Sequence, residues 1–341
     1  MPRGISRVDN PIFLETHVAR KTLETWIVES RFDGAIGAIF GMVADCAIEI
    51  SVALRVASSA GDTGAAQAIN VQGEVQKKLD VVANDIFLRR GEASGVLAAM
   101  VSEELDDIEL VAGAGNAHHA LVFDPLDGSS NLEINGAVGS IFSVLDLGKS
   151  SGITTTDVLQ PGKKQVAAGY ALYGPATVLV LTTGQAVTVF SLDEASAEFV
   201  MVRDKVEIPQ EAAEFAINAS RQTRWYAPTR GFIDACLAGK SGPFGKSYNM
   251  RWCAAMVADL HRILCRGGVF LYPEDEDTKE KGGRLRLLYE VNPMSMIVEA
   301  AGGASSTGTE RLLEIEPSSL HQRIGIIIGS RSEVERAKSF Y

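Results

Sequence analysis

The chain has 341 residues, 46% hydrophobic, 7% aromatic and 22% charged, which excludes a disordered or collagen-like polymer and leaves room for an ample core. Lys and Arg total 32 against 43 Asp and Glu, a formal net charge of −11 that argues against a general nucleic-acid binder. An acidic protein that handles phosphate must gather positive charge locally or take it from metal ions.

The N-terminus, MPRGIS, lacks the apolar segment of a signal peptide and carries Asp9 and Glu15 early, so a cytoplasmic protein is expected. No run reaches the ~20 continuous apolar residues of a membrane span, and no membrane partner is expected. Leu23 to about Ala57 reads as helix, interrupted near Gly34–Gly41, and Lys77–Arg90 repeats Leu79, Val82, Ile86 and Leu88 at helical spacing. From Leu97 short apolar runs take over, Val96–Val101 and Ala120–Phe123, each ending in acidic residues. Strands are expected at Ser140–Leu147, Gln165–Leu172, Thr177–Thr183 and Ala186–Phe190, punctuated by Gly or Pro. Beyond residue 200 the texture alternates: a helix over Met250–Cys265, a strand at Gly268–Tyr272, a charged loop over Glu274–Gly283 and a strand at Leu285–Tyr289. A helix from Pro293 to Ala301 has Pro in its first turn and Gly302-Gly303 at its end, followed by a strand over Arg323–Ile328 and a last short helix. These elements predict a layered α/β protein with a boundary near residue 200, dividing 1–200 from 201–341.

Cys46, Cys236, Cys253 and Cys265 show no C-x-x-C spacing and are expected to be reduced. Gly-Lys-Ser occurs at 148–150, 239–241 and 245–247, but Ser143, Asp234 and Lys240 stand where a P-loop needs its first glycine. The five histidines (His17, His118, His119, His261, His321) have no zinc spacing, and His261 reads as a packed or hydrogen-bonded residue within a helix.

The sharpest local feature is Leu121–Asn131, LVFDPLDGSSN. An apolar strand delivers Asp124 to its end, Pro125 turns the chain, and Asp127 follows at a spacing that can turn both carboxylates to one side. Gly128, Ser129 and Ser130 form an open segment whose N–H groups and hydroxyls can surround a phosphate. Carboxylates beside a phosphate repel it unless a divalent cation lies between them, and hard oxygen ligands imply Mg²⁺ or Mn²⁺ rather than zinc. Read alone, the same residues also suit an ordinary turn and helix cap. A second acidic pair, Glu103-Glu104, closes the apolar run just upstream.

Phe123–Asn131 resembles the signature of class I fructose-1,6-bisphosphatases, in the lithium-sensitive, metal-dependent sugar-phosphatase superfamily. Similar segments follow in order: KKLDV from Lys77, VSEE from Val101, LQPG from Leu159, VAAGYALYG from Val166, MVADLHR from Met256, GGVFLYP from Gly267, LRLLYEVNPM from Leu285, and LHQR from Leu320. The resemblance is good over about residues 70–341 and poor before that. It implies a layered αβαβα fold with two mixed sheets, and hydrolysis of the 1-phosphate of fructose 1,6-bisphosphate in gluconeogenesis or the Calvin cycle. It further implies two or more Mg²⁺ per site, held by Glu103, Asp124, the Leu126 carbonyl, Asp127 and Glu290, with Asp80 and Glu104 activating the attacking water. Asp127, Gly128, Ser129 and Ser130 would hold the departing phosphate. Asn218, Tyr272, Arg284 and Arg286 would surround the sugar and 6-phosphate, with Arg251 reaching the 6-phosphate of a neighbouring subunit in a homotetramer and Trp252 beside it, its indole N–H a donor to phosphate.

Departures from the family pattern carry expectations of their own. Trp252 stands where a tyrosine is usual and Arg284 where a lysine is usual; charge is kept at Arg284, geometry is not. Animal-type enzymes hold AMP with a Gly-Glu-Leu-Thr segment, a Lys-Tyr pair and an arginine; here those places read RFDGAIG from Arg31, His118-His119, and Asp146. AMP inhibition is therefore expected to be weak or absent, and thiol control of the chloroplast type is not expected. Sedoheptulose 1,7-bisphosphate is an alternative or joint substrate, because it too carries a phosphate at each end. An inositol monophosphatase would leave Arg251, Tyr272 and Arg284 unexplained. Retention of the metal carboxylates and Asp80 argues against an inactive sugar-phosphate sensor.

Overall fold

The computed structural model describes residues 20–60, 65–69 and 75–341; His17 and the N-terminal residues read above lie outside them. The helical stretch from Leu23 resolves into Leu23–Ser30 (α1) and Gly34–Ala60 (α2). Thr22 caps α1 by accepting the Thr25 amide, Arg31 ends it in the left-handed region (φ 53°), and Asp33 accepts the Ala35 amide as α2 begins. Contrary to the reading that no segment could span a bilayer, Gly34–Ser59 is long and apolar enough to do so by length and composition. In the fold it is a core helix: Ile39, Phe40, Val43, Cys46, Ala47 and Ile50 are buried against the large sheet. Asp45 and Glu49 pair with Arg90 on its outer face.

Ala65–Ile69 (β1) and Val75–Lys77 (β2) form an antiparallel pair, and Lys78–Ser94 (α3) follows. The large sheet then takes Leu97–Ser102 (β3), Glu109–Leu110 (β4), His119–Asp127 (β5) and Val138–Asp146 (β6). After a one-turn helix Thr155–Val158 (α4), it continues with Gln165–Tyr173 (β7), Thr177–Thr182 (β8), Val187–Asp193 (β9) and Glu198–Arg203 (β10). Its order is β10-β9-β8-β7-β6-β5-β3-β4; β3 and β5 run parallel and the other pairs antiparallel.

The smaller sheet draws on Glu214–Ala216 (β11), Asn249–Met250 (β12), Val269–Tyr272 (β13), Ala304–Ser306 (β15) and Ile326–Gly329 (β17) in the order β12-β11-β13-β17-β15. It too is mixed, since β11 is parallel to both β12 and β13. Leu285–Arg286 (β14) and Arg323–Ile324 (β16) make a separate antiparallel ribbon. The helices of this part are Ala227–Leu237 (α5), Met256–Arg266 (α6), Asn292–Ala300 (α7) and Arg331–Lys338 (α8).

Three apolar clusters stack these parts into αβαβα layers. The first joins α1, α2 and α3 to one face of the large sheet. The second places α6 and α7 between the two sheets, where Ile141, Tyr170 and Val180 meet Leu260, Ile297 and Ile328. The third covers the outer face of the small sheet with α5 and α8 through Phe232, Ile233 and Val334.

Two sequence expectations change. The strand expected at Leu285–Tyr289 stops at Arg286, and Leu287–Val291 winds into a π-helical turn that runs into α7. The helix expected from Met250 begins at Met256, because backbone groups before it are committed elsewhere. The Arg251 amide donates to the Phe215 carbonyl, and the Cys253 amide donates to the Asp259 carboxylate. Cys46 and Cys236 are buried, Cys253 and Cys265 exposed, and all four are free thiols.

Candidate active site

Parallel pairing of β3 with β5 sets Ser102 beside Phe123, so both strands end together and deliver Glu103 and Asp124 to one place. The Glu103 amide donates to the Phe123 carbonyl at 3.0 Å, which locks that register past the end of β3. Beyond Asp124 the β5–β6 pairing shifts register before Asp127 meets Gly139. Pro125 lies in this irregularity, its carbonyl accepting the Ser140 hydroxyl at 2.7 Å, while the Leu126 amide donates to Asp124 Oδ1 at 2.9 Å. The π-helical turn brings Glu290 to the same point, a local winding often found at functional sites.

Asp124, Asp127 and Glu290 are all buried and each offers a carboxylate oxygen within 4.8 Å of the others. Burial, then the charges of Glu103, Asp127 and Glu290, pushes Asp124 well above the ordinary carboxylate range. Asp127 is raised to about 7 by burial and then by Glu290, even though its Oδ2 accepts the Val257 amide (2.8 Å) at the N-terminus of α6. Glu290 is likewise pushed up to about 7 by burial, against the opposing pull of Arg286. Glu103 completes the acidic group from the side, paired with Arg286 at 2.6 Å. An all-oxygen donor set this concentrated and this hard to ionise has the chemistry of a divalent-cation site.

Asp80 is buried in the first turn of α3 and Glu104 is half-buried just past β3. Ser102 joins their two elements: its hydroxyl donates to Asn84 Oδ1 (2.6 Å), one turn along α3 from Asp80, and accepts the Glu104 amide (3.2 Å). Gly128 adopts φ +77°, and a Cβ there would lie 2.4 Å from the Ala255 Cβ, so the turn between the carboxylates and Ser129 requires glycine. Ser129 is half-buried and Ser130 exposed at the start of a short 3₁₀ turn, anchored by Asn131, whose amide bonds the Ala137 and Cys253 carbonyls.

A second group gathers at the end of β13. Tyr272 hydrogen-bonds Asn218 and lies under the influence of Arg284. The Arg284 Nε is buried with no hydrogen-bond partner. Trp252 stacks on Phe270 (ring centroids 5.7 Å apart, 3° between planes) and meets Tyr272 edge-on at 5.5 Å. It therefore packs at the rim of this group. Arg251 is exposed. Arg286, expected beside the sugar, pairs with Glu103, and its amide donates to Glu290 Oε2.

A fructose-1,6-bisphosphatase N-terminal domain model matches residues 18–204. The C-terminal domain model of the same family matches residues 208–341. The chain belongs to the fructose-1,6-bisphosphatase family. It is thus an enzyme, a fructose-bisphosphatase: a hydrolase and phosphatase of carbohydrate metabolism. The crystal structure of Leishmania major fructose-1,6-bisphosphatase in holo form is 34% identical, with a TM-score of 0.89 over 94% of this chain and 98% of that one. The family match begins at residue 18, well before the stretch where the motif resemblance becomes good. Members of this family act on sugar bisphosphates and are generally metal-dependent.

Three parts of the site escaped the sequence reading. The Arg286–Glu103 pair joins residues far apart in sequence. Ser102 lies within VSEE, but that motif was read for its two glutamates alone. The third is Arg221, which clamps Asp275 with two bonds (2.9 and 3.1 Å) and reaches Asp277 at 2.6 Å, tying down the charged loop beside Tyr272. Only the acidic density of that loop hinted at a basic partner.

Proposed function

We propose that the protein removes the 1-phosphate of fructose 1,6-bisphosphate in a Mg²⁺-dependent reaction that gives fructose 6-phosphate and phosphate. The observation that carries this reading is the buried trio Asp124, Asp127 and Glu290, with Glu103 beside it. Two or more Mg²⁺ ions, held by Glu103, Asp124, the Leu126 carbonyl, Asp127 and Glu290, would neutralise charge on the phosphoryl oxygens and on the departing alkoxide. The residues around them supply the rest. Asp80 and Glu104 take the proton of the attacking water. Asp127, Gly128, Ser129 and Ser130 cradle the 1-phosphate with backbone N–H groups and hydroxyls. Asn218, Tyr272 and Arg284 hold the sugar and the far phosphate, the buried and unpartnered Nε of Arg284 being a donor that a phosphate oxygen satisfies. Binding energy gained at that end steadies the reacting end in line for attack.

Regulation by AMP is weak or absent in this reading, since His118, His119 and Asp146 stand where AMP-binding relatives have Lys, Tyr and Arg. A homotetramer is proposed on Arg251, which matches a position that reaches a neighbouring subunit's 6-phosphate; it is exposed, its amide bonded to the Phe215 carbonyl and its guanidinium to the Met250 carbonyl at 2.9 Å. Sedoheptulose 1,7-bisphosphate remains the second substrate, because Asn218, Tyr272 and Arg284 answer to a phosphate more than to ring size. The test is kcat/KM for both bisphosphates with Mg²⁺ present. Hydrolysis of fructose 1,6-bisphosphate that requires Mg²⁺ and ignores micromolar AMP is expected; full activity with metal removed would overturn the metal assignment, and half-maximal inhibition by micromolar AMP the regulatory one.

A further inference from the structure

At the opposite end of β5 from Asp127, His118, His119 and Asp146 converge. Each offers one ligand atom, and the three atoms lie within 4.8 Å of one another. Successive residues of a regular strand point to opposite faces, yet these two imidazoles lie together, with ring centroids 4.3 Å apart and 33° between planes. The strand's edge explains this. His119 is the first residue of β5, paired with Asp146, and the β3–β5 register slips at that point. The His118 carbonyl accepts the Leu147 amide at 2.8 Å, which holds the preceding residue against β6 as well.

Asp146 is fixed by the Gly148 amide (2.8 Å) and faces His118 Nδ1 at 2.8 Å. The Gly148 bond foremost, with help from His118, keeps its carboxyl below the ordinary range, so it is ionised at neutral pH. His119 is buried, and burial together with the His118 ring favours its neutral form, the form that ligates metal. Asp33, at the α1–α2 turn, adds a second acidic group acting on His119 from another element. The other described histidines are engaged: His261 Nδ1 with the Tyr170 hydroxyl at 2.8 Å, and His321 Nε2 with the Leu105 carbonyl at 3.0 Å.

We propose that His118, His119 and Asp146 form a second metal site, taking a borderline divalent transition ion such as Zn²⁺, Ni²⁺ or Cu²⁺. Two imidazoles and one carboxylate suit such ions and suit Mg²⁺ poorly, whereas the all-carboxylate group has the opposite preference. The two sites cannot share an ion, because His119 and Asp124 are separated by roughly 17 Å of strand. His118 and Asp146 are each about half exposed, with side-chain exposures of 42% and 46%, which leaves a path for the ion and coordination positions for water.

Electron paramagnetic resonance of the full-length protein with substoichiometric Cu²⁺ and excess Mg²⁺ tests this, since nitrogen ligands split the copper signal and carboxylate oxygens do not. Splitting from two nitrogens is expected in the unaltered chain and its loss in His118→Gln, an exposed position that does not threaten the core. Asp146→Asn retains both nitrogens but raises the Kd for Cu²⁺ about 10- to 100-fold. An oxygen-only signal in the unaltered chain, or a nitrogen signal that neither substitution changes, would overturn the proposal.

Discussion

Asp124 shows how much of a site a single side chain can depend on. It is buried, held by the Leu126 amide, and surrounded by three more carboxylates that all oppose its ionisation. Asp124→Asn keeps the volume and the Leu126 hydrogen bond but removes the charge a cation would need, so kcat should fall by roughly 10²- to 10³-fold. Steady-state kinetics on the purified variant checks this; an unchanged kcat would remove Asp124 from the machinery. Gly128 makes a different demand, because its backbone alone matters. At φ +77°, with a Cβ position 2.4 Å from the Ala255 Cβ, Gly128→Ala combines left-handed strain with a clash and should cost about 1–3 kcal/mol of stability. Thermal unfolding measures that loss. Relief by Ala255→Gly in the same chain should be partial, since it removes the clash and leaves the strain. Both residues were legible in the sequence because their motif is continuous. Arg286 was legible through the resemblance as a residue beside the sugar; its pairing with Glu103 was not, because it joins the start of the π-helical turn to the end of β3, a contact no local pattern encodes.

Elements fix what residues alone cannot, and Ser102 at the end of β3 is the clearest instance. It couples α3 to the segment carrying Glu104 through two hydrogen bonds, one to Asn84 and one from the Glu104 amide. Ser102→Ala leaves the strand intact and releases both, so kcat should drop about 10-fold with KM little changed. A KM effect without a kcat effect would show that Ser102 positions substrate rather than Asp80 and Glu104, the pair proposed to activate water. At the far side, Glu333 of α8 is fully buried and accepts from Lys246 Nζ (2.7 Å), the Tyr248 hydroxyl (2.5 Å) and the Ala212 amide (3.1 Å), binding α8 to the segments around β11 and β12. Removing one partner of such a group strands the rest, and Glu333→Ala should cost about 3–5 kcal/mol in denaturant unfolding. The elements misread from sequence share a cause with these couplings. Leu285–Tyr289 is apolar enough for a strand or for a tight helix, and the contact of Glu290 with the end of β5 decides between them. The residues before Met256 suit a helix by composition, but Phe215 and Asp259 claim their amides first.

At the scale of the whole molecule, the acidic surplus and the buried carboxylates become one question of proton and metal linkage. Folding raises Asp127 from 3.8 to about 7 and Glu290 from 4.5 to about 7, so each binds its proton more tightly in the folded chain than in the unfolded one. The stabilisation they lend to the metal-free protein is therefore complete below about pH 4 and is lost as pH rises through about 7. The net charge of −11 adds repulsion of the same sign, so charge alone would also favour acid. The two sources separate by mutation: Asp127→Asn combined with Glu290→Gln removes the site's share of the slope and leaves the global share. Mg²⁺ should reverse the dependence, since it binds the ionised carboxylates and competes with their protons. In differential scanning calorimetry, the chelated protein should show a Tm that rises as pH is lowered from about 8 to about 6. The Tm gained on adding Mg²⁺ should be largest at the alkaline end of that range and should vanish in the double variant. A chelated protein that loses stability on the same descent would mean that these carboxylates are ionised without a metal, and that the charge Mg²⁺ was invoked to supply already resides in the chain.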